Sequence, residues 1–294
     1  MTQLYLDRQV EKQREEFNSA VSAWEKYDDW FTDTFTEFDK AMVARANIRP
    51  GHKALDLGSG LGNPALTVAS IVGDKGSVVG MDVAERMLDV ARSRARAHGL
   101  KNLEFHACDV GALPFQDDNF DVATARFCVM LVPNASRALE EIIRVLKPGA
   151  NFTASVWADP SRNVCLTIAM KILREFVEMS KPAPNAPGLF SQSKPGNLIA
   201  KMKEVGFIHT SEETIQIEFS FPSLEFFIAN RTEMAPAIRA VLEMLDAPTR
   251  ALAIEKLAEE GRKYQQPDGS IKFSGEAMIV SGIKGNAQQP SGNC

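Results

Sequence analysis

Apolar positions recur early in the chain at helical spacing. Phe17, Val21, Trp24 and Phe31 are separated by four, three and seven residues, with Tyr27 nearly in line. Such spacing predicts helix with one amphipathic face across the first fifty residues. A second short stretch carries Phe35, Phe38, Met42 and Val43 before Arg49-Pro50-Gly51 breaks the pattern. Beyond that break, short apolar runs alternate with helical spacing. Strands are predicted over 53–57, 77–81, 103–107, 120–125 and 151–157, with helices over 64–72, 84–98 and 135–146. On the helix over 84–98, Met87, Leu88 and Ala91 share one side, and Arg86, Arg92, Arg94 and Arg96 are expected on a solvated face. Alternation at this spacing implies an α/β fold with a doubly wound, parallel sheet.

The rhythm then loosens. An apolar helix is predicted over 162–180, a proline-rich loop over 182–187 and a helix over 195–205. Period-two alternation of Ile215, Ile217 and Phe219 marks a strand over 213–221. Residues 223–263 are mostly helical, and a last strand spans 271–283. The tail, 285–294, is rich in Gly, Asn, Gln, Pro and Ser and is expected to be disordered.

Composition narrows the function classes. With 45% hydrophobic and 24% charged residues, the 294-residue chain has the balance of an ordinary globular protein. Its net charge is -5 and no long segment is basic, which speaks against nucleic acid as a partner. The four cysteines show no C-x-x-C spacing, so no metal site is expected, and reduced thiols fit a cytoplasmic location. No stretch approaches the ~20 apolar residues of a membrane span, so integral membrane association is not expected.

The chemistry concentrates in Asp56-Leu57-Gly58-Ser59-Gly60-Leu61-Gly62-Asn63. A strand entering a glycine turn and then a helix lets a ligand approach the backbone. A dinucleotide fingerprint requires G-x-G-x-x-G, but Asn63 stands at the third glycine position. Asp56 would also repel a pyrophosphate, whereas it can pair with an ammonium group directly or through water. That charge logic fits the amino-acid end of S-adenosylmethionine (SAM). Asp82 follows the second strand and is placed to accept ribose hydroxyls. Asp109 follows the third and can take an adenine amino group. Three acids in register at one sheet edge mark a ligand site.

These stretches, continued by Gly80-Met81-Asp82-Val83, Leu113-Pro114-Phe115, Phe120-Asp121-Val122 and Glu141 through Gly149, resemble class I SAM-dependent methyltransferases. The resemblance is to small-molecule enzymes of the ubiquinone/menaquinone C-methyltransferase group and covers about residues 53–157. Ser59 and Ala150 stand where the family often has Cys and Gly. The resemblance implies a seven-stranded Rossmann-like sheet, mostly parallel with an antiparallel last strand. The chain is expected to divide into an N-terminal helical lid over 1–48 and a SAM-binding domain over 49–284, with a cap insertion over 159–210. SAM is the implied cofactor and S-adenosylhomocysteine (SAH) its product. By position, Gly58, Gly60 and Gly62, with Ser59 and Asn63, would wrap the methionine moiety, with Asp56 near its amino group. Asp82 would hold the ribose; Val83 and Met87 would pack on adenine; Asp109 and Val110 would read its edge. Arg126 and Phe127 would line the wall beside the sulfonium, and Tyr27 and Trp30 are expected to contribute from the N-terminal helix.

Methyl transfer is expected as an in-line displacement governed by positioning. No strong general base is visible. His52, His98 and His106 lie away from the expected methyl position; His209, just before the sixth strand, and Cys128 are weak candidates. The acceptor is expected to be a small, hydrophobic or aromatic molecule held between the N-terminal aromatics Trp24, Tyr27 and Trp30 and the insertion after strand five. A monomer or homodimer is expected. The alternative is a SAM-binding protein that does not methylate, acting as a rearrangement or elimination catalyst or as a regulatory binder.

Overall fold

The computed structural model describes residues 3–179 and 186–286. The expected tail beyond residue 286, and residues 182–185 of the expected proline-rich loop, lie outside the described residues. Two helices, α1 (Gln3–Lys26) and α2 (Asp28–Ala46), precede the first strand and meet at Tyr27. Asp28 and Asp29 in the first turn of α2 suit the positive end of the helix dipole. Asn47 closes α2 in a left-handed conformation, φ 54°, one of the few side chains that tolerates it.

Seven strands form one sheet in the order β3-β2-β1-β4-β5-β7-β6. They are β1 (Lys53–Leu57), β2 (Ser77–Asp82), β3 (Leu103–Ala107), β4 (Phe120–Arg126), β5 (Leu146–Trp157), β6 (Phe207–Phe221) and β7 (Ile271–Lys284). β1 to β5 pair in parallel, while β7 runs antiparallel to both β5 and β6. The order steps outward from β1 to β3 and then reverses to β4, so the switch point lies between β1 and β4. That crevice is where doubly wound sheets take ligands.

Alternation along the central strands feeds two apolar layers. Ala54, Val78 and Val122 pack with α3 (Ala65–Val72) and α4 (Glu85–Ala97). Leu55, Val79 and Ala123 turn the other way, into the cluster holding Leu139 and Ile142 of α5 (Ala135–Val145). Phe35, Phe38 and Met42 of α2 join this second cluster.

After β5 come α6 (Val164–Leu173) and α7 (Asn197–Glu204); α8 (Leu224–Glu233), α9 (Pro236–Met244) and α10 (Ala247–Arg262) lie between β6 and β7. The apolar helix expected over 162–180 is shorter, ending at Leu173. β6 starts earlier than its alternation suggested, because a bulge between Ile208 and Ser211 interrupts the period. His209 therefore sits inside β6, exposed and at φ 49°, not before it. None of the described helices is long and apolar enough to cross a membrane.

Candidate active site

The C-terminal ends of β1, β2 and β4, with the turn after β3, open into a cavity of about 1050 Å³ including its mouth. Its roof comes from Gln13, Phe17 and Trp24 of α1 and from Asp28 and Phe31 of α2. Small-molecule sites commonly enclose roughly 300–1,000 Å³ with apolar walls and a few convergent polar groups.

The glycine turn forms one wall. Gly58 has φ 70°, and a Cβ there would fall 2.6 Å from Cys128 Cβ, so strand one and the loop after β4 can meet only across a glycine. Gly60 has φ 50°, and a Cβ there would meet nothing within 4 Å. The missing side chain at Gly60, a cavity-lining residue, leaves room for a ligand. Two neighbouring strand ends fix this turn. The N–H groups of Gly58 and Ser59 donate to Met81 O at 2.7 and 2.9 Å. Asp82 accepts from Gly60 N and Ala84 N, each at 2.9 Å, and its carboxylate still lines the cavity. Burial raises the Asp82 pKa against these backbone donors.

Asp56 takes a different position from the one its motif suggested. It is fully buried behind the turn and does not line the cavity. Its carboxylate accepts from Thr124 Oγ1 at 2.6 Å and Ser59 Oγ at 2.8 Å. Burial pushes its pKa up to about 6, opposed by those two hydroxyls and by the charge of Arg126. Asp56 thus touches the cavity wall through Ser59. Thr124, two residues along β4 from the strand's end, is a partner the sequence did not disclose; only the β1–β4 register Asp56↔Thr124 brings it there.

Ser59, Asn63, Val83, Met87, Asp109, Val110, Arg126, Phe127 and Cys128 all line the cavity; Gly62 does not. Asp109 accepts from Gly111 N at 2.9 Å, which orients its carboxylate. Tyr27 and Trp30 face away. Tyr27 is buried, with its ring edge-on to Phe226 and its hydroxyl donating to Glu233 at 2.9 Å. Trp30 stacks 4.8 Å from Phe221 and donates from Nε1 to Ser220 O at 2.6 Å. Trp24 and Phe31 of the same helical pair line the cavity instead. Arg94 also departs from its expected solvated place. It lines the cavity, pairs with Asp28 at 3.1 Å and donates to Leu61 O at 3.0 Å.

No described residue of the insertion over 159–210 lines the cavity. The insertion instead braces the loop after β4 from behind, through Gly188 N and Ser191 Oγ donating to Met130 O. Neither His209 nor any other histidine reaches the site. Cys128 does, but burial, with Asp82, Asp56 and Asp109 adding to it, pushes its thiol pKa far up, so it stays protonated.

Arg126 ends β4 in the cavity wall, 9% exposed. Its Nε forms a buried ion pair with Asp39 Oδ1 at 2.7 Å, while its Nη2 has no hydrogen-bond partner. Phe31 and Phe35 lie 4.8 and 5.0 Å from the guanidinium carbon.

The donor set fits SAM and not a dinucleotide. The turn is flanked by carboxylates where a pyrophosphate would need donors. Gly60 supplies the open cradle, Asp82 free lone pairs, and Val83, Met87 and Val110 an apolar slot. A family model described as a methyltransferase domain matches residues 48–201. The ubiquinone/menaquinone biosynthesis C-methyltransferase UbiE of Vibrio campbellii is 30% identical over 215 residues, 69% of this chain and 83% of that protein. Among solved structures, the YcgJ protein of Bacillus subtilis superposes with a TM-score of 0.56 at 21% identity, over 85% of this chain and 98% of that one. The [4+2]-cyclase SpnF shares the fold at a TM-score of 0.51 and 20% identity, over 85% and 81%. The matched domain and the site that fits its cofactor lead to one assignment: the chain belongs to the methyltransferase-domain family and is a SAM-dependent methyltransferase.

Proposed function

We propose that the chain methylates a small aromatic acceptor of the quinol type, with cofactor and acceptor sharing the one cavity. The observation carrying this reading is the division of its walls. Asp82 and Asp109, at two strand ends, line the cavity together with the glycine turn, with Asp56 buried behind that turn, while Phe17, Trp24, Phe31 and Phe127 supply aromatic surface on the remaining walls. The similarity to UbiE, whose name states quinone biosynthesis and C-methylation, supports the quinol part.

Bound SAM supplies an activated methyl group; the protein contributes binding, orientation and exclusion of water. Asp82 accepts from the ribose hydroxyls while its backbone bonds keep it in register with Gly60. Asp109 and Val110 meet the adenine edge, with Val83 and Met87 on its faces. Arg94, steadied by Asp28, is placed for the carboxylate of the amino-acid end. Asp56, through Ser59, presents negative charge to its ammonium. α1 and α2 close the cavity from above, and their aromatic stripe holds the acceptor ring in place. Positioning of this kind contributes on the order of 7–11 kcal/mol to such transfers.

The test is mass spectrometry of the protein incubated with methyl-deuterated SAM and demethylmenaquinol. A deuterated product with an equal amount of SAH supports the reading. Asp82→Ala is expected to lower product formation at least about tenfold, as lost charged hydrogen bonds do. SAH without a methylated quinol would remove the quinol assignment. Binding of SAM with no SAH from any acceptor in a host extract would favour the non-methylating alternative.

A further inference from the structure

Among the described residues, seven buried side-chain polar atoms lack a hydrogen-bond partner. Two of them, Trp24 Nε1 and Arg126 Nη2, are N–H donors of residues that line the cavity and have no other partner, whereas Arg126 Nε is held by the Asp39 carboxylate. Buried donors left unpaired cost roughly 1–3 kcal/mol each, so a wall that keeps them is built for a ligand's acceptor atoms. The Phe31 ring neighbours both residues, 5.1 Å from the ring of Trp24 and 4.8 Å from the Arg126 guanidinium carbon.

A sulfonium does not need this cation. Two positive charges in a poorly hydrated site repel, so a buried guanidinium is a poor wall for the cofactor's sulfur. We infer that Arg126, with Trp24 Nε1 of the same cavity wall, binds an ionised hydroxyl of the acceptor and so selects acceptors that react as phenolates or enolates. This rests on the reading of the cavity as shared by cofactor and acceptor.

The inference also accounts for the missing base. The titratable groups in the cavity wall are already committed. Asp28 pairs with Arg94, Asp82 and Asp109 hold backbone N–H groups, and Cys128 remains a thiol. An acceptor whose hydroxyl proton has passed to solvent, leaving O⁻ on the guanidinium, needs no protein base. Its own charge makes the nucleophile, and the aromatic rings around Arg126 exclude water from the pair. The charged groups facing Arg126 are Asp39 and Asp28 from α2 and Asp56 from β1. Asp39 takes the Nε side of the guanidinium at 2.7 Å and leaves Nη2 without a partner, and burial pushes its carboxyl up to about 6 against the pull of Arg126.

The probe is 4-nitrophenol, whose ionised form is seen directly by absorbance, titrated into the protein saturated with SAH. Wild type is expected to bind the phenolate at least about tenfold more tightly than the phenol, so that the bound probe ionises about one pH unit below the free one. Trp24→Phe keeps the ring, removes one donor and is expected to weaken phenolate binding about threefold to tenfold. Arg126→Met paired with Asp39→Asn removes both buried charges together and is expected to abolish the preference while SAH affinity stays within about threefold. Failure of the wild-type complex to bind the probe, or equal binding of phenol and phenolate, would overturn the inference. So would a loss of SAH affinity of tenfold or more in the folded double variant, which would place the guanidinium on the cofactor's carboxylate. If the double variant does not fold, the wild-type and Trp24→Phe titrations decide alone. None of these readouts uses methyl transfer, so a wrong quinol assignment and a wrong role for Arg126 fail in different experiments.

Discussion

At the scale of single residues, the site's behaviour turns on where each carboxylate gets its compensation. Asp82 spends one oxygen on Gly60 N and the other on Ala84 N, yet faces the cavity. Asp56 is fully buried and relies on two neutral hydroxyls. Burial therefore holds its pKa near 6, above the ordinary 3.8. A carboxyl raised on folding favours the folded chain at low pH, and that contribution is lost as pH rises through about 6. Ligand binding has the opposite sign, because an ammonium group in the cavity favours the ionised carboxylate. SAH affinity should accordingly rise about tenfold between pH 5 and pH 7 and then level off, as calorimetric titration across that range can show. Asp56→Asn should remove most of the slope. Asp39 is also raised to about 6 but sits across Arg126 from the cavity, so Asp39→Asn should keep the wild-type slope. A pH-independent wild type would show that Asp56 does not sense the ligand.

At the scale of elements, the strands and the acids at their ends were legible because period-two runs and strand-ending aspartates are local signals. β1 to β4 follow the expected boundaries closely, β5 begins five residues before its expected start, at Leu146, and Asp82 and Asp109 stand at the predicted edge. The N-terminal pair was legible as amphipathic helix but not in its rotational phase. Phe17, Trp24, Asp28 and Phe31 fall at spacings of seven, four and three and face the cavity. Tyr27 and Trp30, three apart, belong to the adjoining stripe and face β6 and α8. Both stripes are aromatic, so only the packing partner separates ligand contact from scaffold. Thr124 and Asp39 were invisible for a related reason: each meets its partner across elements, at separations no local pattern encodes. The insertion's apolar content misled in the same way, since α6 spends it on α9 and α10. A substitution separates the two stripes. Trp30→Ala removes rings stacked at 4.8 and 6.5 Å on Phe221 and Phe219 and should cost about 2–4 kcal/mol, seen as a lowered melting midpoint. SAH affinity of the folded fraction should change less than about threefold, the scatter expected of an indirect effect. A larger loss of affinity at unchanged stability would return Trp30 to the cofactor site.

At the scale of the whole molecule, the two halves of the chain divide the labour. Every residue lining the cavity lies between Gln13 and Pro133. The later half supplies β5 to β7 and the helices that hold the roof in place. Glu233 of α8 takes Lys26 and the Tyr27 hydroxyl, Ser220 takes Trp30, and Arg239 of α9 donates to Ser19. The roof is thus clamped at its outer side by the C-terminal half and left to meet ligand on its inner side. On that inner side its bonds to the sheet domain come from Gln13, which donates to Leu131 O, from Arg14 and Asn18, and from Asp28, which pairs with Arg94 at 3.1 Å. Arg14 donates to Val83 O at 3.3 Å, Asn18 accepts from Arg86 N at 3.0 Å, and Phe17, Val21 and Trp24 pack on Leu61 and Met87. A ligand filling the space between roof and glycine turn adds contacts to both at once. Local openings of α1 should therefore become rarer when the cavity is filled, whereas α6 and α10, which contribute no lining residue, gain only from the global shift in stability. That global shift is about 2.7 kcal/mol at a ligand concentration one hundred times its dissociation constant. Amide hydrogen exchange with and without SAH should show slowed exchange concentrated in α1, the turn at Gly58–Gly62 and the start of α4. Protection of α10 equal to that of α1 would mean the inner contacts of α1 already seat the roof as firmly as the core.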